Sequence, residues 1–143
     1  VIFLLKILSK KVIFSMKLIT EEWVDKAEGD FATAQREILA KNMPNYDAVC
    51  FHSQQCVEKY LKACLQEENI AFGRTHDLTK LLSSLVTIEP SWEKLRNTLD
   101  ELTAYAVEFR YPGLSADRSI ANQALADCTE IRQVMRQHLG LEN

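Results

Sequence analysis

Glycine and proline are scarce, at four and three in 143 residues. A sandwich or barrel needs a turn signal roughly every 8 to 12 residues, and a small doubly wound fold uses the same residues in its connections, so both architectures are excluded. Cysteine is sparse as well. The four (Cys50, Cys56, Cys64, Cys128) form no C-x-x-C pair and have no histidine pair nearby at zinc spacing. That argues against a disulfide scaffold and a structural metal site, and it points to a reducing compartment, the cytoplasm. No apolar run is long enough to span a bilayer. Positive charge is not in excess: the net charge is −3 and the pI is near 5.6. A nucleotide or nucleic acid would therefore have to be held by a local basic cluster rather than a global field.

What is present is ordinary for one globular domain. Hydrophobic residues make up 47% and charged residues 26%, and the length matches a single core of about 100 to 150 residues. The composition breaks at Met16. Residues 1–15 hold ten apolar residues and three lysines but no acid. Removing those lysines leaves everything from Met16 onward at −6, against −3 for the whole. The lysines interrupt the apolar runs and no small-residue cleavage site follows, so a signal peptide does not fit. Two readings stand: a start site assigned too far upstream, or an apolar, basic arm that packs on the domain or a partner. The domain proper is 16–143.

Hydrophobic periodicity predicts an all-α, up-and-down bundle of four to five helices. The first begins after Thr20 as N-cap and buries Trp23, Ala27, Phe31, Ala34 and Ile38. The second, from about Asn45 to Glu68, has a core face of Tyr46, Val49, Cys50, Val57, Tyr60, Leu61 and Cys64, where free cysteine acts as a small hydrophobe. A short third follows Thr75-His76-Asp77. A fourth begins after Pro90-Ser91 and ends at Arg110-Tyr111-Pro112-Gly113, and a fifth runs from about Asp117 to Leu139.

Three places offer chemistry. Phe51, Gln55, Glu58 and Lys62 fall at i, i+4, i+7 and i+11 of the second helix and so form one stripe away from its core face. The stripe suits a base or partner helix stacked on Phe51 with the Gln55 amide beside it; it also suits a solvated face with one Glu/Lys pair. Arg110, beside Tyr111, either reaches the last carbonyls of its own helix or holds a phosphate. His76 either belongs to a capping turn with Thr75 and Asp77 or contacts a ligand and transfers protons.

These segments together resemble the HEPN domain, the nucleotide-binding domain of higher eukaryotes and prokaryotes. Residues 48–63 (AVCFHSQQCVEKYLKA) resemble its signature helix, Thr75-His76-Asp77-Leu78 with Leu81-Leu82 its next segment, and Phe109-Arg110-Tyr111-Pro112 its third. The resemblance spans about Thr20 to Leu139, in order. It implies a helical bundle, usually a homodimer, often encoded beside a minimal nucleotidyltransferase in toxin–antitoxin pairs, with Gln55, Glu58, Lys62, His76 and Arg110 at positions of its motifs. Many members are metal-independent ribonucleases with an arginine followed, after four to six residues, by a histidine.

That partner is missing after Arg110, where Ser115, Ala116 and Asp117 occupy the allowed positions. Arg132 and His138 have the spacing, but about 0.4 such pairs are expected by chance in this composition. They also lie about 240° apart around one helix. Two functions follow. The first is a non-catalytic module that binds a nucleotide, RNA or a nucleotidyltransferase partner through Arg110, Lys62 and Gln55, without cofactor or metal. The second is an endoribonuclease toxin in which Arg110 polarises the phosphate and His76 or His138 moves protons.

Overall fold

Helices need caps, and three of the five find them in their own sequence. The computed structural model describes the backbone of residues 4–8 and 11–15, and both backbone and side chains of residues 16–142. Asn45 Oδ1 accepts from Ala48 N at 3.0 Å and opens α2 (Tyr46–Glu67). Asp77 Oδ1 accepts from Thr79 N at 3.0 Å and opens α3 (Leu78–Leu85). Asp117 Oδ1 accepts from Ile120 N at 2.8 Å and opens α5 (Arg118–His138). Each cap satisfies an amide that the first helical turn leaves without a carbonyl.

The first and fourth helices differ from expectation. α1 is Leu18–Ile38, so Thr20 lies inside it and is not its cap. The Thr20 hydroxyl is buried and donates to Glu67 Oε1 at 2.9 Å, and the Lys17 backbone N–H donates to the same oxygen at 3.2 Å. The end of α2 therefore satisfies the start of α1, and a distant carboxylate replaces the local cap. After Pro90 the chain first forms a 3₁₀ turn, Pro90–Leu95, and only then α4 (Arg96–Glu108). Trp92, Leu95, Leu99 and Leu102 are buried there, while Ala106 and Phe109 are half-buried.

Contacts set the helix directions. Thr20 meets Glu67, and Glu37 Oε1 accepts from Asn45 N at 2.6 Å, so α1 and α2 are antiparallel neighbours. Tyr46 meets Arg118 at one end and Cys64 meets Met135 at the other, so α2 and α5 run parallel. Trp92 packs edge-on against His138 with centroids 4.9 Å apart, which places the start of the α4 segment at the end of α5. The result is an up-and-down bundle in which α1, α3, α4 and α5 all pack on α2.

From Met16 onward every regular element is helical. The N-terminal extension lies partly outside the described residues. Within it, β1 (Leu4–Leu8) pairs antiparallel with β2 (Lys11–Ser15), Leu4 opposite Ser15 and Leu8 opposite Lys11. This hairpin was not expected, although β-branched and aromatic residues favour strands.

All four cysteines are free and buried. Burial pushes the Cys50 thiol up to about 12 and raises that of Cys64, so both stay protonated and act as packing groups.

Asp127 is a buried acid that accepts from Gln123 Nε2 at 2.8 Å. Burial raises its pKa; the hydrogen bond opposes this, and Glu101 and Glu130 add to it. An acid raised in the folded state weakens the fold as pH climbs from its unfolded pKa through its folded one. Asp127→Asn is therefore expected to raise the melting temperature at about pH 7. The gain should vanish at about pH 3, below the ordinary aspartate value of about 3.9. Thermal melts at the two pH values check this.

Candidate functional site

α2 carries an uninterrupted polar network. Gln55 Nε2 donates to Gln54 Oε1 at 2.8 Å, and Gln54 Nε2 donates to Glu58 Oε1 at 3.3 Å. Lys62 Nζ donates to Glu58 Oε2 at 3.1 Å. Turn by turn, amide, carboxylate and ammonium are linked along one face, as i, i+4 spacing allows.

At Glu58 and Lys62 this face is not the solvated one of the two that the pattern allows. Glu58 and Lys62 are 3% and 6% exposed. Trp23 of α1 and Phe72, in the loop after α2, meet edge to face with centroids 5.8 Å apart. The Lys62 ammonium lies 5.7 and 5.9 Å from their centroids, within cation–π range. Lys62 is thus enclosed by aromatic rings and paired with Glu58. Little of its side chain is left on the surface, 7% by exposure, where a ligand would meet it.

The other end of the stripe opens into a cleft of about 440 Å³. Phe51, Gln54 and Gln55 of α2 form one wall, Thr103, Ala106 and Val107 of α4 another, with Arg110 just beyond the α4 end. Thr75, His76 and Asp77 close the third side. The Arg110 guanidinium sits over Phe51, 5.6 Å from the ring centroid. Among the described residues it makes no hydrogen bond and no ion pair. Only its backbone N–H reaches back into α4, to Val107 O at 3.4 Å. The helix-capping role for the Arg110 side chain is therefore not the one it takes.

His76 is held from two directions. Its carbonyl accepts from Gln54 Nε2 at 3.1 Å, and its ring Nδ1 is 2.9 Å from Glu58 Oε1. The capping duty in Thr75-His76-Asp77 falls to Asp77, whose carboxyl is held below the ordinary range first by the Thr79 hydroxyl. His76 is left with its side chain 74% exposed on the cleft.

Of the residues singled out in the sequence, Phe51, Gln55, His76 and Arg110 line the cleft. Glu58 lies behind His76, and Lys62 behind Glu58. Tyr111 is 66% exposed and does not line it. Arg132 and His138 do not meet as an arginine–histidine pair. Arg132 forks onto Glu28 at 2.6 and 2.7 Å, and His138 Nε2 is 3.1 Å from Glu68 Oε1. Both are occupied in packing the bundle. Gln54 and Thr103 line the cleft without having been singled out. Gln54 was detectable as the i−4 neighbour of Glu58, while Thr103 carries no local signal. Among the described residues no cluster of three His, Cys, Asp or Glu side chains is arranged to hold a metal ion, and no helix is long and apolar enough to cross a membrane.

Comparison with known proteins agrees with this fold. The family model of the HEPN domain matches residues 20–138. The Methanocaldococcus jannaschii protein MJ1304, named as a proposed toxin, is 37% identical over 97 residues, covering 63% of this chain and 61% of that protein. The chain thus spans about three fifths of the length of the curated relative it matches. The crystal structure of an archaeal HEPN homologue superposes with a TM-score of 0.64 at 25% identity, over 84% of this chain and 97% of that one. A protein from Thermus thermophilus, TT1696, superposes with a TM-score of 0.70 over 82% of this chain and 96% of its own, and at 22% identity it shows the fold alone.

Proposed function

The chain belongs to the HEPN domain family, and from that premise we propose that it is a non-catalytic binding module whose cleft holds a nucleotide. It acts as a homodimer with a nucleotidyltransferase partner in a toxin–antitoxin pair, in the cytoplasm. The name of the M. jannaschii relative supports the toxin–antitoxin setting. One observation carries the binding reading: the guanidinium of Arg110, without a hydrogen-bonding or ionic partner among the described residues, is poised over the face of Phe51 at the mouth of a cleft. A cation beside an aromatic face matches a phosphate joined to a flat base, and the Gln55 amide beside them can read a base edge. For the dimer, Val107 on the cleft wall and Tyr111 and Leu114, which follow Arg110 in the chain, are 54%, 66% and 58% exposed, apolar surface that a second copy would cover.

Titration with AMP tests the binding reading. Arg110→Ala is expected to weaken AMP binding about 10- to 100-fold, the equivalent of a charge-assisted hydrogen bond of roughly 1.5 to 3 kcal/mol, with no change in the melting temperature. Unchanged affinity would reject the site. Solution mass, measured with and without AMP, tests the dimer.

The ribonuclease reading keeps one supporting observation, that His76 and Arg110 line the same cleft. Cleavage of total RNA by the purified protein, abolished by His76→Ala, would replace the binding reading with it.

A further inference from the structure

On that reading of the cleft, we propose that Glu58 and Lys62 are positioning residues for His76: they fix its ring as the Nδ1–H tautomer and leave Nε2 as the hydrogen-bond acceptor available to a ligand's hydroxyl or amine.

Burial changes sharply along this chain of contacts. The Glu58 side chain is 4% exposed and that of Lys62 7%, yet the ring they lead to is 74% exposed. A buried ion pair is a weak device for stability, because removing two charges from water offsets most of their attraction, and well-packed apolar residues usually serve as well. A solvent-exposed histidine, conversely, needs no buried anchor. The combination makes sense if the carboxylate is there for the ring. An ionised carboxylate only accepts hydrogen bonds, so the contact at 2.9 Å places the ring proton on Nδ1. The neutral ring then has its lone pair on Nε2.

The remaining contacts of Glu58 favour the same state. Lys62 Nζ occupies Oε2 at 3.1 Å, which leaves Oε1 for the ring and for Gln54 Nε2 at 3.3 Å. Gln54 also grips the His76 carbonyl, so the loop holding the ring is tied to α2 through backbone and side chain together. Trp23 and Phe72 keep the ammonium out of water, where its field on Glu58 is least screened. The cleft thus pairs a donor group, Arg110, with an acceptor nitrogen on His76, which suits a ligand carrying both an anion and a hydroxyl or amine.

Nitrogen-15 NMR of the histidine rings at about pH 8.5, where an ordinary imidazole is neutral, reads the tautomer directly and without ligand. The wild-type protein is expected to show His76 mainly as Nδ1–H. A mainly Nε2–H ring overturns the proposal, and this measurement needs no variant. The double variant Glu58→Met/Lys62→Met removes both charges together and so avoids stranding one. In it the His76 ring is expected to lose its Nδ1–H preference and AMP affinity to fall about tenfold. In a His76→Ala background the same pair of changes should have no further effect on AMP. A full loss that persists without His76 would mean that the pair supports the cleft by packing alone, and would overturn the proposal. If the wild-type protein binds no AMP, the binding reading of the cleft fails, while the tautomer still judges the role of Glu58 and Lys62.

Discussion

Lys62→Met, made with Glu58 left in place, is expected to destabilise the bundle by about 3 to 5 kcal/mol. The methionine fills the space between Trp23 and Phe72 well enough. The loss comes from Glu58, a carboxylate 3% exposed that among the described residues keeps only Gln54 and His76 as partners once its countercharge is gone. Glu58→Met alone should cost a similar amount, because it strands the ammonium. Changing both residues should recover most of the loss, since a buried pair and an apolar pair of similar volume are often nearly equivalent. Urea unfolding of the two single variants and the double variant checks this as a thermodynamic cycle. Additive losses would show that the ion pair is not the unit that matters.

Leu61→Ala is expected to cost about 3 to 5 kcal/mol, the upper part of the range for leucine truncation in cores. Leu61 is fully buried in the second half of α2, the helix on which α1, α3, α4 and α5 all pack. With neighbours converging from several helices, collapse around the missing atoms is restricted and most of the cavity should persist. For a domain of this size the melting temperature should drop on the order of 10 °C. Val107→Ala, at a position 54% exposed on α4, should change stability by no more than about 0.5 kcal/mol. Equal effects at the two positions would contradict the central place of α2.

How far the sequence could be read follows from the range of each interaction. Asn45, Asp77 and Asp117 were legible as cap or boundary positions because a cap is a bond between residues two or three apart, and residue type nearly decides it. Thr20 was misread by the same rule, since its partner Glu67 is 47 residues away and nothing near Thr20 announces it. The stripe of Phe51, Gln55, Glu58 and Lys62 was correctly seen as one face. Its character was not, because i, i+4 spacing looks the same whether water or aromatic rings lie over it. Trp23 and Phe72, from other segments, made the difference. The arginine–histidine spacing at Arg132 and His138 was visible too, but their actual partners, Glu28 and Glu68, belong to other helices.

By itself, the sequence determined the helical class, the order of the helices and most of their boundaries, and the three segments that resemble family motifs. All of these depend on periodicity and on neighbours within a turn or two. The tertiary structure alone decided that Lys62 is interior, that Glu58 meets the His76 ring, and that Arg110 stands over Phe51 without a hydrogen-bond or ionic partner among the described residues. Burial and partnership at these positions depend on which other segment of the chain folds over each one, and a linear pattern does not carry that information.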